Sequence, residues 1–120
     1  MTKGQLISVL NSQFEDTRTK IEILDFFLLT TPEIVLNLVD GTSKSDWGLV
    51  RMALHKYKNR LRMLDIEDVW KEVERAEVFL KDARPQGERV HGVISKIDVM
   101  SQNLLIIAEH AKKDLEKSAS

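Results

Sequence analysis

Apolar residues recur at the spacing of an α-helix along almost the whole chain. In the clearest run, the steps between consecutive apolar residues are three, four, three, four and three. The members of this run are Trp47, Val50, Leu54, Tyr57, Leu61 and Leu64. Such steps place all members on one side of a helix, whereas a half-buried strand alternates at every second residue. The sequence contains no alternating stretch of that kind, and the pattern therefore predicts an all-α protein.

Glycine and proline mark the expected helix boundaries. The chain has only two prolines and five glycines, and nearly all of them interrupt the apolar periodicity. In residue numbers, the predicted helices cover about 2–10, 16–40, 46–64, 65–82 and 88–117. The predicted boundary features are a stop at Gly41, an N-cap at Ser45 or Asp46, a start at Asp65 and a turn at Pro85 and Gly87.

Pro32 leaves the course of the second segment open. Thr31 and Pro32 could start a new helix, with the threonine as N-cap and the proline in the first turn. The proline could equally kink one long helix, because it lacks a backbone donor. In both cases, long helical segments with short connections favour an antiparallel four-helix bundle with a short extra N-terminal helix. At 120 residues, we expect a single domain over residues 1–120.

The charge balance argues against global attraction to nucleic acid or to an anionic membrane. The chain has 18 Lys and Arg residues and 19 Asp and Glu residues, for a net charge of −1. Cysteine is absent, which fits a reducing compartment and leaves no thiolate metal site. No apolar run approaches the roughly 18 residues of a membrane span, and the N-terminus does not resemble a signal peptide. We therefore expect a soluble cytoplasmic protein whose recognition surfaces are local.

The stretch RMALHKYKNRLRML, residues 51–64, places one histidine among five cations. His55 follows a residue of the apolar run, so it lies about 100° around the helix from that residue and should face solvent. Lys56 and Arg60 should project elsewhere. The polar residues that share the strip of His55 are Arg51, Lys58, Asn59 and Arg62.

The residues alone leave two interpretations of this strip. Positive neighbours disfavour protonation of an imidazole, and a neutral ring nitrogen is a nucleophile. If the ring acquired a phosphoryl group, the same cations could hold its negative charge with charge-assisted hydrogen bonds. Alternatively, the strip is an ordinary solvated helix face on which the histidine has no chemical role.

The run from Asp46 to Glu77 resembles the histidine-containing phosphotransfer (HPt) domain of two-component phosphorelays. In that family, an acidic and a large apolar residue stand nine and eight positions before the histidine, and an apolar residue and a lysine stand two and three positions after it. An apolar residue and usually glycine come about nine positions after the histidine, and the next helix ends with an apolar residue or alanine and then glutamate. The matching residues are Asp46, Trp47, Tyr57, Lys58, Leu64, Asp65, Ala76 and Glu77. The upstream run LDFFLLTTPEIVLNLVDG, residues 24–41, is similar to the family's preceding helix.

This resemblance implies a phosphoryl carrier. His55 would accept the group from the aspartate of a receiver domain and pass it to a second receiver, while Lys58 would stabilise it. Supporting or docking roles would fall to Asn59, Arg62, Arg51 and Phe26. The implied partners are response-regulator receiver domains and a hybrid sensor histidine kinase, with the carrier acting as a monomer. It would have no cofactor or metal of its own, since the magnesium belongs to the receiver, and no kinase or ATPase activity.

Two positions differ from the family pattern. The family usually has glycine or serine four residues after the histidine and a small residue at the fifth, where this chain has Asn59 and Arg60. A larger side chain at the first position could crowd a receiver, which motivates an alternative: a degenerate HPt-like adaptor that binds receiver or kinase domains without carrying phosphate. A nucleic-acid binder is a third hypothesis, disfavoured by the short strip and the slightly negative net charge. We expect surface or capping roles for His91 and His110.

Two further expectations concern the surroundings of the histidine. Phe26 and Phe27 are adjacent and cannot both face one core, so one of them should lie near the surface. The resemblance to the HPt family implies that an exposed apolar patch there, beside His55, would be the surface on which a receiver docks. The carboxylates of the fourth helix, among them Glu72, Glu74 and Glu77, are expected to form a solvated face.

Overall fold

The computed structural model describes residues 1–82 and 87–119. It contains five α-helices and, within those ranges, no β-strand, which confirms the all-α prediction. The helices are α1 (Lys3–Gln13), α2 (Thr17–Ser43), α3 (Trp47–Met63), α4 (Glu67–Leu80) and α5 (Gly87–Ala119). Of the predicted turn, Pro85 lies outside the described residues, and Gly87 is the first residue of α5.

Pro32 lies inside one continuous helix. Because α2 runs from Thr17 to Ser43, Pro32 does not begin a new helix. Its side chain is exposed, so the ring occupies no space in the core. Thr31, considered as an N-cap, is instead fully buried in the middle of α2.

Gly41 does not end α2, contrary to the prediction. It is buried within the helix, where an added Cβ atom would lie 2.9 Å from Cγ2 of Val50 in α3. That separation is shorter than the optimal contact between carbon atoms. Gly41 therefore permits a close approach of α2 to α3, and α2 continues to Ser43.

The two ends of α3 differ in how well the sequence predicts them. Asp46 caps its start, as predicted, because its Oδ1 accepts from the backbone nitrogen of Leu49 at 3.2 Å. Asp65 does not open the next helix, which is a correction. Its φ of 53° is in the left-handed region, which aspartate tolerates better than most residues. Asp65 instead reverses the chain, and α4 begins at Glu67.

The first helix is longer than predicted. Asn11 and Ser12, which lie beyond the predicted end of this helix at about residue 10, are helical, and the Ser12 hydroxyl donates to the carbonyl oxygen of Val9 at 2.8 Å. A capping box fixes the start of α1. The Thr2 hydroxyl accepts from the backbone nitrogen of Gln5 at 3.1 Å, and the Gln5 side chain accepts from the Thr2 nitrogen at 2.8 Å.

The helices enclose one core. α2 packs on α3 and α5, α4 packs on the same two helices, and α1 packs on α5. At about 1.5 Å per residue, α5 is roughly 50 Å long, close to the longest dimension of the molecule, 53 Å. The largest fully buried side chains are Tyr57, Phe27, Leu6, Leu10, Leu24, Leu38, Leu54, Leu61, Leu64, Ile66, Leu80 and Ile97.

Candidate functional site

His55 lies on the solvent side of α3, near the middle of the helix. The buried side of α3 is formed by Val50, Ala53, Leu54, Tyr57 and Leu61. Since each residue turns about 100° around the axis, His55 points away from this apolar side. Its side chain is exposed, so a partner can reach it.

The three cations that share the strip of His55 all contact α4. Arg51 donates from Nη2 to the carbonyl oxygen of Leu80 at 2.7 Å. Lys58 Nζ lies 2.8 Å from Oε1 of Glu77. Arg62 Nη2 lies 2.7 Å from Oε1 of Glu74, and its guanidinium also lies over the ring of Trp70. These three cations therefore contact α4, whereas the imidazole of His55 remains exposed to solvent.

Lys58 is the least exposed of these cations. Its side chain is 19% exposed and that of Glu77 is 25% exposed, so the pair is shielded from water more than an ordinary surface pair. Arg62 and Glu74 are 53% and 43% exposed. Of the two ion pairs, that of Lys58 with Glu77 is thus the less exposed.

The prediction that the α4 carboxylates form a solvated face is wrong for Glu72 and Glu77. Glu72 is only 15% exposed and its Oε1 lies 2.8 Å from Lys96 Nζ of α5. Glu77 faces α3 through Lys58. Both carboxylates are partly covered because α4 lies between α3 and α5.

The opposite edge of α3 meets α2. Phe27 is buried and Phe26 is 51% exposed, which confirms that one of the two phenylalanines lies near the surface. The Arg60 guanidinium carbon lies 5.0 Å from the centroid of the Phe26 ring, a cation–π distance. One side of the proposed apolar docking residue is therefore covered by a cation, and Lys56 and Arg60 project away from the Lys58 side, as predicted.

Asn59 follows His55 by one helical turn and is exposed. Its angular offset from His55 is about 40°, so the two side chains point in nearly the same direction. Among the residues that the structure describes, the Asn59 amide has no hydrogen-bond partner. It is therefore free to meet whatever approaches the imidazole.

The remaining histidines do not extend the site. His91 and His110 are both exposed on α5, as expected for surface residues. In the described part of the chain, no three histidine, aspartate or glutamate side chains come together in a way that could hold a metal ion. Over residues 1–82 and 87–119, no helix combines the length and the apolar character needed to cross a membrane.

The sequence did not reveal the α4 partners of the cations. Glu77 entered as the end of a family pattern and as a surface carboxylate, and Glu74 only as a surface carboxylate. The signal is nevertheless present in the spacing. Arg51, Lys58 and Arg62 ascend along α3 while their partners Leu80, Glu77 and Glu74 descend along α4. An antiparallel hairpin of α3 and α4 with this alignment would therefore have placed the three cations next to their partners.

No protein-family model matches this chain, and searches of curated proteins and of solved structures also found no match.

Proposed function

We propose that α2 to α5 form an antiparallel four-helix bundle of the HPt type, with α1 as an additional helix on its outside. Each of these four helices packs on two others of the set, which is the arrangement of a closed bundle. Residue numbers rise along α3 and fall along α4 from one contact to the next, which supports an antiparallel arrangement of these two helices. Asp65, which stands where the family usually has glycine, has the positive φ that glycine favours.

Within this architecture, the protein acts as a cytoplasmic phosphoryl carrier between receiver domains. The observation that carries the proposal is the exposed His55 at mid-helix with Lys58 and Arg62 one turn or two away on the same side of α3. An accessible imidazole beside cations suits a group that arrives and leaves with negative charge. The resemblance of residues 46–77 to the HPt family supplies the identity of the partner.

The proposed step is an in-line displacement. A ring nitrogen of His55 attacks the phosphorus of a receiver's aspartyl phosphate. A P–N bond forms while the P–O bond to the aspartyl carboxylate breaks, and that carboxylate stays with the receiver. The receiver contributes its own magnesium ion, and positioning and charge stabilisation account for the acceleration. Transfer to a second receiver is the same displacement in reverse.

Lys58 supports this step by moving between two anions. In the unmodified protein its ammonium pairs with Glu77. Partly exposed pairs of this kind contribute about 1 kcal/mol or less to stability. The ammonium can therefore turn from Glu77 toward a phosphoryl group without unfolding α3 or α4. Glu77 then holds Lys58 in place before transfer, and the bound phosphoryl group takes over that contact afterwards.

Labelling with a phosphorylated receiver tests the proposal. The full chain is incubated with receiver domains that carry radiolabelled aspartyl phosphate, and the transferred label is measured. We expect acid-labile label on the wild type and none on His55→Gln. The matched controls are His91→Gln and His110→Gln, which remove other exposed histidines and should label like the wild type. Absence of label with every receiver contradicts the proposal.

A degenerate adaptor is the second candidate. It is favoured by the engagement of Arg51, Lys58 and Arg62 with α4, since no cation of this set is left unpaired beside the imidazole. An adaptor would bind receivers with equal affinity in the wild type and in His55→Gln, and neither protein would take up label. Binding without label therefore selects the adaptor over the carrier.

A further inference from the structure

A small groove opens between α2 and α3 beside the strip of His55. Its volume is about 130 Å³. We call it the α2/α3 groove. Its walls include the apolar residues Ile34, Met52 and Ala53 and the charged residues Glu33, Lys56 and Arg60.

The two cations of this groove differ from the other three cations of α3. Arg51, Lys58 and Arg62 all have partners on α4. Among the described residues, neither Lys56 nor Arg60 forms an ion pair or a hydrogen bond through its side chain. The positive charge that remains available on α3 therefore lies on its α2 side.

Arg60 has an unmet requirement for a hydrogen-bond acceptor. Its Nη1 atom is inaccessible to water and has no hydrogen-bond partner in the described part of the chain. Its guanidinium contacts the Phe26 ring, which offers an electrostatic attraction but no oxygen acceptor. A charged donor left in this condition is unfavourable, and rotation of the Arg60 side chain toward a carboxylate in the groove would relieve it.

We infer that the α2/α3 groove binds an acidic side chain of the partner, so that receivers served by this chain carry Asp or Glu where they meet Lys56 and Arg60. The inference rests on the proposed function for the identity of the partner as a receiver. The groove is small, and its apolar wall at Met52 suits the methylene groups that carry a carboxylate.

Substitution of Glu33 should change binding in the opposite direction to substitution of Lys56 and Arg60. It is the carboxylate on the α2 side of the groove, and it does not lie within ion-pair distance of Lys56 or Arg60. It therefore repels an incoming acidic side chain without neutralising either cation. Removing its charge should strengthen binding, whereas removing the charge of the cations should weaken it.

The experiment uses receivers that transfer labelled phosphate to His55. The dissociation constants of their complexes with this protein are measured by fluorescence anisotropy at low and high salt. For Lys56→Ala/Arg60→Ala we expect binding weaker by about tenfold at low salt and a smaller difference at high salt. For Glu33→Gln we expect binding stronger by about twofold. The matched control is Lys81→Ala/Lys113→Ala, which removes two exposed lysines elsewhere and should bind like the wild type.

Two further measurements separate charge from packing and from chemistry. Arg60→Lys keeps the charge but removes the planar guanidinium over Phe26, and it should bind within about threefold of the wild type. At saturating receiver, Lys56→Ala/Arg60→Ala should label His55 at the rate of the wild type, because the groove recognises the partner and does not contact the transferred group. If Lys56→Ala/Arg60→Ala weakens receiver binding no more than Lys81→Ala/Lys113→Ala does, the inference is overturned.

Failure of the carrier proposal can be distinguished from failure of the inference about the groove. If no receiver labels His55, the carrier proposal fails, and the groove is tested with a synthetic helical peptide that pairs glutamates with leucine, against the same peptide with lysine in place of glutamate. Preference for the glutamate peptide that Lys56→Ala/Arg60→Ala abolishes supports the acidic groove. Equal binding of the two peptides, or binding of neither, overturns it.

Discussion

At the scale of single residues, Lys58 is the side chain whose present contact and proposed role differ most. Its ammonium lies 2.8 Å from Glu77, not free beside the imidazole. Glu77 and a phosphoryl group on His55 would therefore compete for the same cation. The strength of the pair with Glu77 sets how readily Lys58 can respond, and this strength is small because both side chains are partly exposed.

Substitution Glu77→Gln tests that competition. Without the carboxylate, Lys58 loses its anionic partner, and we expect faster labelling of His55 by a few-fold and slower loss of the label in the absence of a second receiver. Stability should fall by about 1 kcal/mol or less. The measurements are labelling kinetics and chemical denaturation. Glu22→Gln, which breaks an exposed pair with Arg18 on α2, is the control and should leave labelling unchanged. Labelling that slows in Glu77→Gln would show that Glu77 assists Lys58 rather than competing for it.

At the scale of elements, the distance between α2 and α3 depends on a single glycine. Gly41 is buried, and a side chain there would meet Val50. Because this contact lies at the carboxyl end of α2, just before the turn to α3, it determines how closely the two helices that line the α2/α3 groove approach each other.

Gly41→Ala should therefore destabilise the fold, although alanine is the better helix former. The new Cβ would lie 2.9 Å from Cγ2 of Val50, and overpacking of this kind costs about 1–3 kcal/mol. Gly92→Ala in α5 is the matched control. No atom lies within 4 Å of its added Cβ, so helix propensity should dominate and stability should rise by about 0.5–1 kcal/mol. Urea unfolding followed by circular dichroism measures both changes. Equal stabilisation by the two substitutions would contradict the close approach of α2 and α3.

At the scale of the whole molecule, one polar contact joins helices across the core. The hydroxyl of Tyr57 in α3 lies 2.6 Å from the hydroxyl of Ser101 in α5, and both residues are fully buried. Burial raises the pKa of Tyr57 to about 12, because the ionised phenol would lose its hydration. The contact connects the helix that carries His55 to the longest helix, and it should contribute to the stability of the entire fold.

The pH dependence of stability follows from this raised pKa. The folded state disfavours the phenolate, so the stabilisation is complete below the unfolded-state pKa of about 10 and is lost as pH rises through about 12. We expect the free energy of unfolding to fall by roughly 2–3 kcal/mol from this group over that range. Tyr57→Phe should cost about 1–2 kcal/mol at neutral pH, since Ser101 loses its partner, and should lack this part of the alkaline loss. Denaturant unfolding of both proteins at several pH values measures the difference. Identical alkaline loss in the two proteins would contradict it.

Local spacing predicted the features that depend on one helix at a time. The steps from Trp47 to Leu64 predicted α3 and the exposed side on which His55 lies. Gly41 and Asp65 were misjudged because a glycine required by packing and an aspartate in a left-handed turn give the same sequence signals as a helix stop and a helix cap. The pairing of Lys58 with Glu77 and the lack of a hydrogen-bond partner at Nη1 of Arg60 depend on how neighbouring helices are aligned, which the pattern within a single helix does not encode.

The position of the phosphoryl group on the chain decides whether His55 is the phosphoryl acceptor. After incubation with a phosphorylated receiver, the full chain is digested at neutral pH, where phosphohistidine survives, and its peptides are fragmented in a mass spectrometer. We expect a phosphoryl group on His55 that is lost on brief acid treatment. A phosphoryl group found on another residue, or a chain that binds the receiver and stays unmodified, would contradict the claim that this protein carries phosphate on His55.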